Sequence, residues 1–430
     1  MRDYLNAAIT LFAQPIRLVR TFTLDTLRAD FLAGLTVGLV LLPQSLAFAI
    51  LGGLPPIVGL YSALTATIVG ALWGSSSHLN SGPTNTAAII TLSVLAPVAT
   101  IGSVEFVTAA SLIAVMAGII RLIMGLARLG ILVNFVSDAV AVGFTAGAGI
   151  LILSNQIGPL LRIDLPPGAS LFTTITETAG HLDAIHWPSL AVGAATIVLI
   201  VLSPRLTRKI PAVLISIVVV SPVVWWLDLK AQGVRVMGPV PPGLPPLANL
   251  PIFDLDLITH LMNGALALAI IGLVEAVAIS RAIAGYSGQR IDSNQEFVGQ
   301  GLANIVSGIF SGMPCSGSFN RSALAYQSGG KTALTAVISG VTVLLGTAIL
   351  SDVLSLIPRP AIAGTLMVAS LGMIDLRAMR RIWRGSRGEA VIMITTLAIT
   401  LTLPLQFAIL IGVLMSLGYY LLRTATPRVE

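Results

Sequence analysis

Long apolar runs, separated by short polar or Gly/Pro-rich breaks, follow one another from about residue 33 to residue 423. Most are close to the 17–25 residues that an α-helix needs to cross roughly 30 Å of hydrocarbon. The pattern predicts about fourteen helical segments: 33–51, 57–73, 83–98, 104–126, 131–157, 189–203, 211–228, 258–284, 293–311, 317–328, 333–350, 360–375, 388–403 and 406–423. Two of them, 83–98 and 317–328, are too short to cross alone, and both begin at or just after a Ser-Gly pair. A transmembrane β-barrel would instead show short segments of alternating polarity. The expected fold class is therefore an all-α polytopic membrane protein.

Composition strengthens this. Of 430 residues 55% are hydrophobic and 10% charged, and the mean hydropathy is +0.94. A soluble domain carries about a quarter charged residues, so most of this surface must meet lipid. Lys and Arg collect on cytoplasmic loops. With both termini cytoplasmic, nineteen of the 24 fall inside and only Arg162, Lys230, Arg235 and Arg359 outside, with Arg321 left within the membrane. This bias accounts for the net charge of +6 without invoking nucleic acid. The expected location is the plasma membrane, the inner membrane in a bacterium. Residues 1–30 suit an amphipathic segment on the membrane surface. Repeats at 31–228 and 258–423 flank a Pro-rich extracellular connector at 229–257, and 424–430 form a cytoplasmic tail. The lone Cys315 excludes an intrachain disulfide.

The two halves resemble each other. "SGPTNTAA" (81–88) aligns with "SGSFNRSA" (316–323), and "IVGALWG" (68–74) with "VSGIFSG" (306–312). Gln44 then falls near Glu275. Seven spans per half make the repeats inverted, with half-helices at segments 3 and 10, and such repeats place a transporter's binding site near the midplane. A helix starting there leaves its first N–H groups unpaired and about half a positive charge exposed. Two such ends together suit an anion. Arg321 adds a charge that is costly in lipid unless partnered, either by substrate or by Glu275. A carboxylate held between burial and a neighbouring cation could exchange a proton during a transport cycle. Phe48 reads as packing when taken alone, and Thr84, Ser318 and Tyr326 as secondary liners. His78, His181, His186 and His260 show no metal-ligand spacing, and no phosphate loop, catalytic triad or HExxH occurs. No metal or cofactor is expected.

The stretches "LLPQSLAFAILGGLPPIVGLYSAL", "GSSSHLNSGPTNTAA", "LVEAVAIS", "NQEFVGQGLANIVSGIF" and "CSGSFNRSALAYQSGGKTALT" resemble the SulP family of sulfate permease-like anion transporters, to which prestin and the plant sulfate transporters belong. The resemblance implies a seven-plus-seven fold divided into a core (spans 1–4 and 8–11) and a gate (spans 5–7 and 12–14), an elevator-like motion, and a homodimer. It places the anion among Gln44, Phe48, Thr84, Asn85, Ser318, Phe319, Asn320 and Arg321, and coupling to protons, with sodium as alternative, at Glu275. The cytoplasmic STAS domain usual in the family has no counterpart here, so the resemblance is to the membrane domain. The expected function is secondary-active, proton-coupled symport of sulfate or a small dicarboxylate, not enzymatic catalysis. The alternatives are an uncoupled channel or an exchanger of the same fold and, against the charge of Arg321, a nucleobase permease.

Overall fold

The computed structural model describes residues 13–19, 23–131, 137–165, 171–206, 211–241 and 243–425. Its first part runs α1 (Gln14–Val19), α2 (Leu24–Leu51), α3 (Pro56–Trp73), β1 (Ser81–Gly82), α4 (Asn85–Leu95) and α5 (Val104–Leu126). There follow α6 (Asp138–Asn155), α7 (Ile157–Leu161), α8 (Leu171–Gly180), α9 (Trp187–Leu206) and α10 (Ala212–Trp226). The next stretch holds α11 (Leu255–Ser287), α12 (Ser293–Ile309), β2 (Ser316–Gly317), α13 (Phe319–Gln327) and α14 (Leu334–Ser355). The chain closes with α15 (Arg359–Leu371), α16 (Leu376–Gly385), α17 (Arg387–Thr402) and α18 (Leu405–Ala425).

Local chemistry sets these boundaries. Thr23 caps α2 in a reciprocal capping box with Thr26, and Pro56 opens α3 where its missing N–H costs nothing. Ser103 caps α5 with Glu105 in the first turn, the favourable end for a carboxylate. Gly288 ends α11 at φ 71°, a left-handed stop.

A helix overlies each of the fourteen expected segments; among the described residues, eight helical stretches are long and apolar enough to cross a membrane, two of them, Asp138–Leu161 and Arg359–Gly385, joining α6 to α7 and α15 to α16. The remainder are short, like α4, or polar, like α12 with Glu296, Gln300 and Asn304 along it. Three differences from the sequence reading stand out. The first long helix starts at Leu24, not 33, inside the stretch expected to lie on the surface. Residues 1–12 and 20–22 of that stretch, and 426–430 of the tail, lie outside the described residues. Neither α8 nor α16 was expected; α16 sets Arg377, Arg380, Arg381 and Arg384 on a short amphipathic helix that buries only Ala378 and Ile382.

The described chain packs as two compact units, each taking a piece from both halves of the sequence. The first comprises Met1–Val133 and Pro239–Leu354. Its helices α5 and α12 approach through glycines: a Cβ on Gly118 would lie 2.7 Å from the Gly301 carbonyl, and one on Gly308 would lie 2.3 Å from that of Ser111. Such close backbone approach is how helices pack where lipid offers no hydrophobic drive. At its edge the buried Asp30 of α2 accepts hydrogen bonds from the Lys331 and Thr332 amides and the Thr332 and Thr335 hydroxyls, capping the start of α14.

The second unit comprises Asn134–Gly238 and Ser355–Glu430. Here α6 packs on α17 and α9 on α15. Residues 235–238 pair with 355–359: the Met237 amide donates to Ile357 and the Arg359 amide to Arg235, around a bridge between Val236 and Pro358.

Candidate anion-binding site

Everything that follows lies in the first unit. β1 and β2 pair antiparallel, Ser81 with Gly317 and Gly82 with Ser316. The two Ser-Gly steps that align in sequence thus meet in a two-residue ladder. The Ser318 amide extends it by donating to the Asn80 carbonyl at 3.1 Å. Directly after each strand a helix begins, α4 at Asn85 and α13 at Phe319, and the antiparallel ladder sends them off in opposite directions from one point. Their N-terminal amides therefore gather at the ladder. Thr84 caps α4 by accepting from the Ala87 amide at 3.2 Å, whereas Ser318, at the equivalent position of α13, makes no side-chain cap bond. The first turn of α13 is left with donors to offer.

Buried amide side chains hold the ladder. Asn304 grips Cys315 from both sides, Oδ1 accepting from its amide at 2.8 Å and Nδ2 donating to its carbonyl at 3.1 Å. Gln300 Nε2 donates to Ser81 Oγ at 2.6 Å, and the Thr67 hydroxyl donates to the Ser81 carbonyl. Asn80 ties its amide to Ser322 Oγ at 2.9 Å and its Nδ2 to Ser339 Oγ at 2.9 Å. Of these residues, Thr67, Asn80, Gln300, Asn304, Ser322 and Ser339 were not singled out from the sequence. The signal for Gln300 and Asn304 was their spacing, i and i+4 on one face of an otherwise glycine-rich helix.

Arg321 is 1% exposed. Its Nε donates to Asn80 Oδ1 at 2.8 Å and its Nη1 to the Pro83 carbonyl at 3.1 Å, while Nη2 has no hydrogen-bond partner and sits close under Gly82. The guanidinium thus lies across the lead-in to α4 with one nitrogen unspent. Phe319 and Asn320, just before it on α13, are exposed. Gln44 is partly buried and Phe48 buried, on α2, which packs against both α4 and α13. Thr84 is buried and Asn85 and Ser318 partly so. The elements that carry the expected set thus pack together, α4 and α13 each against α2.

Glu275 departs from expectation. It lies on α11, partly buried, 3.0 Å from Ser316 Oγ and hydrogen-bonded by Thr86. The charged side chain acting on it is Arg121 of α5, not Arg321. Arg121 was counted among cytoplasmic loop residues; it is instead 0% exposed inside a 23-residue apolar helix. Its Nη1 donates to the Cys315 carbonyl at 2.7 Å and its Nη2 to that of Leu268 at 2.5 Å. A single Arg late in a long apolar run reads as the end of a span, and only the packing of α5 against α11 and α12 reveals that the run continues around it. His78, in the loop before β1, is buried with its Nε2 3.0 Å from the Gly330 carbonyl, a structural contact. Among the described residues no group of His, Cys, Asp and Glu could hold a metal ion.

Residues 27–396 match the profile of the sulfate permease family. A probable sulfate transporter of Mycobacterium tuberculosis is 32% identical over 93% of this chain and 71% of its own length. The chloroplastic sulfate transporter 4.1 of Arabidopsis thaliana is 30% identical over 96% of this chain and 61% of its own. Human solute carrier family 26 member 6 is 30% identical, and there the chain spans 56% of the relative's length. Two solved structures share the fold. The transmembrane domain of the cyanobacterial bicarbonate transporter BicA has a TM-score of 0.80 at 24% identity, covering 92% of this chain and 99% of that one. The murine solute carrier 26 family member A9 anion transporter, in its inward-facing state, has a TM-score of 0.89 at 20% identity, covering 97% and 72%. With a profile match across most of its length, and with transporters rather than enzymes as relatives, this multi-pass membrane chain belongs to the sulfate permease family of anion transporters.

Proposed function

We propose that the chain is a secondary-active carrier of sulfate or a small dicarboxylate, driven by protons that load at Glu275. The paired helix starts around the β1–β2 ladder, with the unspent Nη2 of Arg321 beside them, are the observation that carries this reading. Peptide dipoles and a guanidinium together favour a doubly charged oxyanion. Thr84, Asn85 and Ser318 would supply neutral donors and Gln44 and Phe48 the wall on α2, with Phe319 and Asn320 at the outer edge. Glu275 is partly buried and held by two hydroxyls, which suits a group that must reach water at one stage and lose it at another.

The wider architecture follows the same reading: fourteen segments as two inverted repeats, both termini cytoplasmic, and two chains in a dimer. The first unit is the element that moves, carrying its site in an elevator-like step past the second. Exchange or channel conduction on the same fold is the competing reading, and it would leave Glu275 without a task. Purified protein in liposomes, given [35S]sulfate and an inward proton gradient, tests this. Accumulation above equilibrium that collapses with the gradient is expected, and in E275Q accumulation should no longer follow pH. Uptake indifferent to the gradient would defeat proton coupling, and labelled sulfate uptake that neither saturates nor is competed by unlabelled sulfate, oxalate or succinate would defeat the anion site.

A further inference from the structure

We propose that Arg121 is the positioning residue for Glu275: a fixed cation from the first half of the chain that balances this carboxylate and holds the Cys315–Ser316 lead-in beside it. The proposal rests on the coupling role given to Glu275 above. A guanidinium in a membrane-embedded helix needs partners. The two that Arg121 touches, the Cys315 and Leu268 carbonyls, carry no formal charge. Leu268, Gly272 and Glu275 stand at i, i+4 and i+7 on α11 and so share one face. A Cβ on Gly272 would lie 2.0 Å from Arg121 Nη2, so only glycine leaves room for the guanidinium there. Ser316 Oγ, on the residue after the clasped Cys315, is 3.0 Å from Glu275 Oε2 and 3.3 Å from the Gly272 carbonyl. Cation and carboxylate thus flank one dipeptide without forming a direct ion pair among the described contacts.

Among the described residues, the other elements around Glu275 bring no second countercharge. From α4 comes the Thr86 hydroxyl, and from β2 that of Ser316. On α12 the carboxylate of Glu296 is engaged by the Ser75 and Ser76 amides. Arg321 of α13 acts on the Cys315 thiol, which stands within reach of both arginines, and not on Glu275. Arg121 therefore sets the charge against which a proton arrives. Take it away and a carboxylate keeps its proton to higher pH.

The test is the pH dependence of [35S]sulfate uptake by wild type, E275Q, R121Q and R121K in liposomes. R121Q is expected to move the midpoint of uptake upward by about one pH unit or more, and R121K to restore it. Wild-type pH dependence surviving in E275Q would defeat the coupling reading itself, whatever Arg121 does. If E275Q abolishes the dependence while R121Q keeps the wild-type midpoint, the inference about Arg121 alone is overturned. Should R121Q fail to fold, R121Q/E275Q decides: recovery of folded protein, by removing the stranded carboxylate, supports the pairing, and equal loss overturns it.

Discussion

Two buried arginines serve the same ladder from opposite halves of the chain. Arg321, from the second half, reaches across to Asn80 and Pro83 ahead of α4. Arg121, from the first half, reaches across to Cys315 ahead of α13. Each therefore clasps the lead-in to the other half's broken helix. The difference lies in what surrounds the charge. Each leaves one nitrogen without a hydrogen-bond partner, Nε in Arg121 and Nη2 in Arg321, but Arg121 has Glu275 within electrostatic reach. Of the two arginines, Arg321 is the one on which no carboxylate acts. Under the proposed function, a diffusing anion would supply the countercharge that Arg321 lacks.

The comparison is broken most directly at Arg321. Losing one partner of a desolvated charge contact costs about 3 kcal/mol, roughly a hundredfold. R321Q should therefore lower saturable [35S]sulfate uptake about a hundredfold while the protein still purifies as a folded species. R321Q transporting within a few-fold of wild type would mean that the two arginines are equivalent struts and that the anion is held elsewhere.

Next in size is Asn80, which orients Arg321 without offering a charge. N80A removes the acceptor of Nε together with the side-chain bond to Ser339, and leaves the backbone bond to Ser322 in place. A buried hydrogen bond to a charged group contributes about 1.5–3 kcal/mol, so KM for sulfate should rise roughly tenfold or more, with kcat less affected. A fall in kcat at constant KM would place Asn80 in the transport step instead of in the posture of the arginine.

The sequence exposed some of this arrangement and hid the rest for definite reasons. Interrupted hydrophobic runs and two Ser-Gly steps in equivalent positions were enough to foresee that residues 81–82 and 316–317 belong together, because only a shared buried function justifies breaking two apolar helices. Arg321 was legible because it stands in a polar stretch between apolar ones. Arg121 was not, because its neighbours Ile119, Ile120, Leu122 and Ile123 are lipid-like, and a charge near the end of an apolar run reads as a loop boundary. Glu275 was found, but the only cation weighed for it was Arg321, as an alternative to substrate, and Arg121 was not considered. Linear spacing carries no information on which of two cations a helix will turn toward. Asn304 and Gln300 escaped because a polar face on a helix reads equally as a solvated face.

Gly272 sharpens the other side of the comparison. In G272A the new methyl group would press on the Arg121 guanidinium, which can swing aside because it ends a flexible side chain. The pH midpoint of uptake should then move in the same direction as in R121Q but by less than about one unit, with a stability loss of about 1–3 kcal/mol from overpacking. A G272A profile shifted downward would show that displacing the guanidinium does not loosen its hold on Glu275.

The smallest effect is expected where the same chemistry meets water. In the second unit Arg235 holds Asp164 through two bonds, Nη1 to Oδ1 at 2.7 Å and Nη2 to Oδ2 at 3.1 Å, and both side chains are exposed. The guanidinium holds the Asp164 carboxyl below its ordinary range. A lowered carboxylate stabilises the fold above the unfolded-state value near 4 and loses that contribution as pH falls through the lower folded value. Solvent screening keeps even this bidentate pair to less than about 1 kcal/mol. D164N should therefore leave thermal stability at pH 7 almost unchanged, leave sulfate uptake unchanged, and differ from wild type even less below pH 4. A stability loss at pH 7 of about 1.5–3 kcal/mol, the size expected for a buried hydrogen bond to a charged group, would mean that burial is not what separates the arginines of the two units, and the electrostatic division between Arg121 and Arg321 would lose its physical basis.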